Sequence, residues 1–446
     1  MKKNKTLILI LGVVLAAAVV VGLIFGVKAL SGSSATPEVK PSSGEPEGSG
    51  AAASTEKPAD PTADPTAESG AEPTGGIEDT EEMKAAKTKE VYTVDDITAE
   101  DARWDETVAT CGDYSLNNRG AQIYYTMQYF NFMNQYGAYA EMFGMDLSKP
   151  LSEQASFVGD LNWEQYFLMA GMEQFRQYAA AAGKATAEGY TLPEAEAQEL
   201  EKNLADLPEE AKQYGYESAD AYLQASFGPG VRFADFEDYL RTYFLAMSYE
   251  NKLYMDYEVS EEQIKDYFTN HPDEFEGDSG DVANVNVRHI LITPAKDDEG
   301  NTTEEGLAAA KAKAEELLAA WQNEPTEEYF AKLAEENTDD PGSKTTGGLY
   351  EEVYPGQMVQ PFNDWCFDAS RQPGDTGVVE TSYGYHVMYF VKTTETYHWK
   401  TVAEQNLRSE NMDEQLEALL ADAPLTAHYE TIVLAPLPDL LQQEEQ

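Results

Sequence analysis

Few residues in this chain have types and spacings that suit chemistry. Its 446 residues include five histidines and two cysteines among 81 acidic and 30 basic side chains. Cys111 and Cys366 have no CxxC or metal-ligand spacing around them, which argues against a zinc site and a disulfide framework; each reads as a small buried hydrophobe. No metal or cofactor is expected. Val285, Val287, His289 and Leu291 alternate with Asn286, Arg288, Ile290 and Ile292, so His289 sits on the Val/Leu side of a strand. His386 falls in a later apolar run, Tyr385 to Val391. Between them lie the turn chemistry of Asp339-Asp340-Pro341-Gly342 and the pair Met358 and Phe362, four apart around a helix start and able to face one cavity. An imidazole with a carboxylate beside it has its tautomer fixed and suits electrostatic work. Two readings fit these residues: satisfied core histidines, a plain turn and ordinary packing, or a pocket with a polar centre. His271, His398 and His428 match no motif and receive no role.

The elements around these residues follow from periodicity. After the strand from Val285 comes a polar loop through Gly300. Thr302 and Glu305 make a capping-box pair, opening a helix with Leu307, Ala310, Ala314, Leu317, Leu318 and Trp321 on one face. Thr326 to Glu336 is a second helix carrying Phe330 and Leu333, and Gly347-Gly348 is a break. Phe362, Trp365, Cys366 and Ala369 recur at helical spacing on a third helix, which Pro373-Gly374-Asp375 ends. Gly377 to Thr381 and Tyr385 to Val391 read as strands joined through Ser382-Tyr383-Gly384. The expected order is strand, helix, helix, loop, helix, strand, strand.

Upstream, Lys2, Lys3 and Lys5 precede an uncharged run from Leu7 to Val27, close to the roughly 20 residues a bilayer-spanning helix needs. This favours a retained anchor with the remainder exported, although Ala29-Leu30-Ser31 offers a cleavage site that would release a secreted protein. No cysteine follows for lipid attachment. Residues 31–88 are rich in Ala, Pro, Glu, Ser, Thr and Gly, and are expected to be a disordered spacer. Thr107 to Tyr114 is a strand candidate. Two long helices are then expected, one carrying Tyr124, Met127, Phe130, Tyr136, Tyr139 and Phe143, the other Trp163, Phe167, Phe175 and Tyr178. Pro193 starts another, Phe227-Gly228-Pro229-Gly230 breaks the chain, Phe233 to Tyr257 is helical, and Ser260 to Gln263 is a capping box whose helix ends near His271-Pro272. The aromatic stripes fit a core, and tyrosine also suits contact with unfolded chains.

The segments "VRHILI", "FAKLAEENTDDPGS", "GGLYEEVYPGQMVQPF", "PGDTG" and "YGYHVMYF" stand in the order and spacing of a parvulin-family rotamase domain, which residues 284–393 resemble. The flanks, "VSEEQIKDYFTNHPDEF" and Ala403 to Ala421, are similar to those of extracytoplasmic foldases of the PrsA/SurA type. The resemblance implies an α+β protein. A parvulin-type domain with a small antiparallel sheet is inserted in an α-helical chaperone domain, formed by residues 104–275 and a returning helical segment at 395–436. A transmembrane helix within residues 1–30 and the linker precede it.

By the same resemblance His289, Asp340 and His386 form the catalytic centre, and Tyr350, Met358, Phe362, Thr381 and Tyr383 bind the substrate. Aspartate stands at 340 where some members have cysteine, which removes any covalent proposal there. The implied activity is peptidyl-prolyl cis-trans isomerisation; the alternative is a holdase with an inactive parvulin scaffold. The implied partners are unfolded exported polypeptides containing X-Pro bonds, the membrane through the N-terminal helix, and a possible second copy in a homodimer. A formal charge of −51 argues against nucleic acid and anionic lipid as partners.

Overall fold

A computed structural model describes residues 80–275, 280–297 and 300–438. The expected Leu7–Val27 anchor and most of the expected spacer lie outside the described residues. Among those described, no helix is long and apolar enough to cross a membrane. Two units are present: one runs to Leu253 and resumes at Asp413, and the other, Tyr254–Met412, is inserted in its sequence. Both mix helix and sheet.

In the first unit, α1 (Glu81–Ala86) is capped by Thr80 and buries Met83 and Ala86, so this part of the stretch expected to be spacer is helical and packed. The strand candidate splits at Gly112-Asp113 into β1 (Thr107–Cys111) and β2 (Tyr114–Asn117), which pair antiparallel. Asn117 caps α2 (Asn118–Tyr136) by accepting from the Gly120 amide at 2.9 Å. The expected single helix through Phe143 ends at Tyr136, and Gly137–Phe143 continues as 3-10 turns. Asn162 and Gln165 form a reciprocal capping box on α3 (Trp163–Ala187). Gly171 lets α2 and α3 meet closely, because a Cβ there would lie 3.0 Å from the Tyr124 carbonyl carbon. The helices α4 (Glu194–Gln213), α5 (Ala219–Phe227) and α6 (Phe233–Asp256) complete the layer, with Tyr124 edge-on to Phe175 and Tyr239 in its core.

In the second unit α7 (Glu261–Asn270) starts at the Ser260–Gln263 capping box, as its sequence indicates. Ile264 and Tyr267 pack with Trp399 and Ala403 of α11 (His398–Asp422). From Asp413 onward α11 belongs to the first unit, where Arg176 donates to the Leu420 and Ala423 carbonyls. The chain then adds β7 (Leu425–Ala427) beside β1, a pairing the sequence reading does not contain.

The second unit centres on an antiparallel four-stranded sheet in the order β4-β3-β6-β5, made of β3 (Val285–Ile292), β4 (Leu349–Val353), β5 (Thr376–Thr381) and β6 (Gly384–Thr393). Helices α8 (Glu304–Asn323) and α9 (Glu327–Asn337) cover one face, where Ile290, Val387 and Tyr389 meet Ala314, Leu317 and Phe330. The cap of α8 is Thr303, which accepts from Gly306, and not Thr302, which bridges to Lys296 instead. On the opposite face Val285, Val287, Met388 and Phe390 pack against Phe362 and Cys366 of α10 (Gln360–Cys366). That helix stops at Cys366, because Asp368 turns the chain by accepting from the Ser370 amide, and Ala369 falls outside it. The strand β4 is absent from the expected order.

Candidate active site

The sheet register sets the site. His289 pairs with Met388 and Leu291 with His386, which makes the two histidines diagonal neighbours on the α10 face. Val379 opposes His386, so Thr381, two residues on, shares that face from β5. Tyr350 opposes Val287 on β4 and joins from the other side. Gly348 makes this close approach possible. Its φ is +75°, a Cβ would lie 2.2 Å from the His289 carbonyl oxygen, and its own carbonyl accepts the His289 amide at 2.8 Å.

The loop after α9 brings the carboxylates. Asp339 ties it to the end of β3, accepting from the amide and hydroxyl of Thr293 at 2.8 and 2.7 Å. Buried Thr338 accepts the amides of Leu291 and Asp340 at 3.0 and 3.2 Å. Asp340 is thereby fixed with its Oδ2 3.1 Å from His289 Nε2 and 3.0 Å from the Tyr350 hydroxyl. The Ser343 amide and hydroxyl also donate to Oδ2, and the Gly342 amide donates to Oδ1. Ser343, fully buried and also 3.2 Å from His289 Nε2, is a site residue that sequence reasoning missed. Its only local sign is a serine three residues after an aspartate in a turn, which is indistinguishable from ordinary turn chemistry.

A single hydrogen-bonded line crosses the sheet. His289 Nδ1 faces His386 Nδ1 at 3.1 Å, and His386 Nε2 faces Thr381 Oγ1 at 2.8 Å. Burial would raise the Asp340 carboxyl, but hydrogen bonds from His289, Ser343 and Tyr350 outweigh it and hold the group well below the usual carboxylate range. Burial, with the neighbouring His289, pulls His386 down to about 3, so its ring is neutral at physiological pH. Burial and then the Asp340 charge push the Tyr350 hydroxyl up, keeping it a donor. Thr381 Oγ1 accepts the Tyr383 amide at 3.1 Å, and of the two acceptors in reach of its hydroxyl His386 Nε2 at 2.8 Å is nearer than the Gly384 carbonyl at 3.5 Å. One proton order satisfies every group: Thr381 donates to His386 Nε2, His386 Nδ1–H to His289 Nδ1, and His289 Nε2–H to Asp340.

Phe362 closes over both imidazoles, edge-on at 5.4 Å from each, and the Tyr350 ring stacks on His289 at 4.9 Å. Met358 and Tyr350 pack half-buried against the same cluster. The structure therefore brings together His289, Asp340, His386, Tyr350, Phe362 and Thr381 directly, with Met358 beside them. Tyr383 contributes its backbone, and its side chain stands 60% exposed at the β5–β6 turn. A separate cavity of about 460 Å³ between α4 and α6 includes none of these residues.

Residues 274–395, which include every residue of this face, match the PPIC-type PPIase domain. Proteins similar to it in sequence include foldases and chaperones. Foldase protein PrsA 1 of Listeria innocua is 32% identical over 174 residues, which are 37% of this chain and 49% of that protein. Chaperone SurA of Pseudomonas putida is 32% identical over 140 residues, 30% of each chain. The crystal structure of PrsA from Bacillus subtilis aligns with 60% of this chain and 87% of its own at 22% identity, with a TM-score of 0.26 that supports no detail. The chain spans about half the length of the first of these relatives. Residues 274–395 thus match the PPIC-type PPIase domain, and PrsA- and SurA-type proteins are among those to which the chain is similar.

Proposed function

We propose that this protein is a peptidyl-prolyl cis-trans isomerase and foldase that assists exported polypeptides outside the cytoplasmic membrane, acting without a cofactor or covalent step. The observation that carries this is the aromatic lid of Phe362 over a fully satisfied Asp340–His289–His386–Thr381 line, on a face that also holds Met358. Rotation about an X-Pro bond is slow because the amide has partial double-bond character, with a barrier of about 18–20 kcal/mol. A site lowers it by holding the proline ring in an apolar pocket and favouring the twisted over the planar amide. In this reading Met358 and Phe362 grip the ring, with Tyr350 and Tyr383 at its edge. Asp340, His289, His386 and Thr381 fix the pocket floor and its field from beneath, because both imidazoles are buried.

Membrane anchoring through Leu7–Val27 and a spacer after it belong to the same proposal, supported by sequence composition. The 284–393 domain, the chaperone-like flanks at 104–275 and 395–436, and a possible homodimer do too. A second reading, a holdase with an idle scaffold, is supported by aromatic side chains exposed in the helical unit. The discriminating experiment is refolding of a protein whose slow phase is X-Pro isomerisation. The isomerase reading expects that phase to accelerate with added protein; a higher refolded yield at an unchanged rate would leave the holdase reading alone.

A further inference from the structure

Large exposed apolar side chains concentrate in one part of the first unit. Tyr139 is 60%, Met142 75% and Phe157 52% exposed, with Tyr136 and Leu147 also open to solvent. Ring contacts join two of them through Phe143: Tyr136 meets Phe143 at 5.2 Å, Phe143 meets Phe157 at 6.0 Å, and Phe157 rests on buried Trp163 and Tyr166 at 5.2 and 5.1 Å, while Tyr139 and Met142 stand on the Gly137–Phe143 turns that carry Phe143. Apolar side chains scattered singly need no explanation, but a contiguous aromatic surface does.

This surface is held in shape without a partner. Buried Gln154 accepts the Asp146 amide at 2.7 Å and donates to the Asp146, Lys149 and Pro150 carbonyls at 2.9–3.1 Å, which fastens the loop bearing Leu147. The Gln154 carbonyl in turn accepts the Trp163 amide at 3.1 Å, tying that loop to the start of α3. Pre-organisation of this kind lowers the entropy lost on docking. The segment that carries it is acidic: between Phe130 and Asn162 stand Glu141, Asp146, Glu153 and Asp160 against one lysine, Lys149, and Asp160 pairs with Lys87 of the preceding chain at 3.8 Å. Lys149 pairs with Asp146 at 2.8 Å.

We propose that the surface of Tyr136, Tyr139, Met142, Phe143, Leu147 and Phe157 is a docking site for extended polypeptide in which aromatic or aliphatic residues are flanked by lysine or arginine. The committed occupant follows from charge. A chain of net −51 repels anionic lipid, and a second copy seated on this surface would set Glu141 and Glu153 against like charge, whereas basic flanks complement them while an apolar centre covers the rings. Tyrosine and methionine suit sequence-tolerant contact, the former by amphipathic ring and the latter by flexibility. The inference rests on the foldase reading in placing unfolded chain near this surface, but it needs no isomerase activity.

The test uses the full chain and fluorescent twelve-residue peptides without proline. One peptide has a Phe/Leu centre with lysine flanks, one the same centre with glutamate flanks, and one a serine centre with lysine flanks. In fluorescence anisotropy the lysine-flanked apolar peptide should bind at least tenfold more tightly than either of the others. The triple substitution Tyr139→Ser, Met142→Ser and Phe157→Ser, all at exposed positions, should weaken it at least tenfold and leave the far-ultraviolet circular dichroism unchanged. Equal binding of the glutamate-flanked peptide, or undiminished binding by the folded triple variant, would overturn the proposal. So would a change from dimer to monomer on sedimentation of the variant, which would assign the surface to a second copy, or its loss of binding to phosphatidylcholine vesicles, which would assign it to a membrane. Because the peptides lack proline, failure of the isomerase reading leaves this result intact.

Discussion

At the scale of single residues, Asp340 is the post that holds the site. Its carboxylate receives His289, Tyr350, Ser343 and two backbone amides. Asp340→Ala leaves these donors without a partner and should cost roughly 2–4 kcal/mol in urea unfolding. Ser343→Ala removes one donor and should cost about 1 kcal/mol while lowering isomerase turnover, and Ser343→Thr should not restore the packing of a fully buried side chain. The pH dependence follows from two depressed groups. His386, at about 3 when folded, takes up protons in the unfolded chain from near pH 6.5, so stability falls as pH drops from 6.5 towards 3, by up to about 1.4 kcal/mol per unit. Asp340, also depressed, contributes stability above its ordinary carboxylate value that is lost below about pH 4. Urea midpoints of wild type and His386→Phe between pH 7 and 4.5 check this, and the variant should show the shallower slope. The family pattern made His289, His386, Phe362 and Met358 legible in the sequence. Read alone, each fits an ordinary core residue as well as a pocket. Ser343 was not legible, because its partners come from a strand some fifty residues earlier and from the loop around it.

At the scale of elements, the register of β3 against β4 and β6 does the positioning, and the β3–β4 half of it depends on Gly348. Gly348→Ala should cost roughly 2 kcal/mol or more and abolish activity, because a Cβ there meets the His289 carbonyl at 2.2 Å at a φ of +75°. Gly356→Ala is the control. Its φ is +88°, but nothing lies within 4 Å of its Cβ, so about 1 kcal/mol of backbone strain is the whole expected cost. Differential scanning calorimetry of the two variants separates crowding from strain. Periodicity revealed β3, α8, α9, β5 and β6, whose buried faces repeat cleanly. It did not reveal β4, an edge strand that buries only Val353 and carries Glu352 at a φ of 55°. Nor did it reveal β7, three residues long, whose partner β1 lies some three hundred residues earlier in the chain.

At the scale of the whole molecule, two units share one chain and, in the proposed function, divide the work. Two independent activities follow: isomerase variants in the second unit should retain suppression of client aggregation, measured by light scattering, and that suppression should weaken as salt screens the net charge of −51. The order of helical flank, inserted domain and returning helix was an expectation from the family resemblance. That resemblance did not show the point within α11 at which the chain passes from one unit to the other, since a continuous helix carries no compositional break there. The central claim is that the face beneath Phe362 accelerates X-Pro rotation. Its most direct measurement is the proteolysis-coupled cis/trans exchange rate of an X-Pro tetrapeptide with wild type, Met358→Ala and His386→Ala, each checked by circular dichroism. Wild type should accelerate exchange at micromolar protein and folded Met358→Ala should lose most of that acceleration, whereas an unchanged rate with wild type, or full activity in Met358→Ala, would contradict the claim.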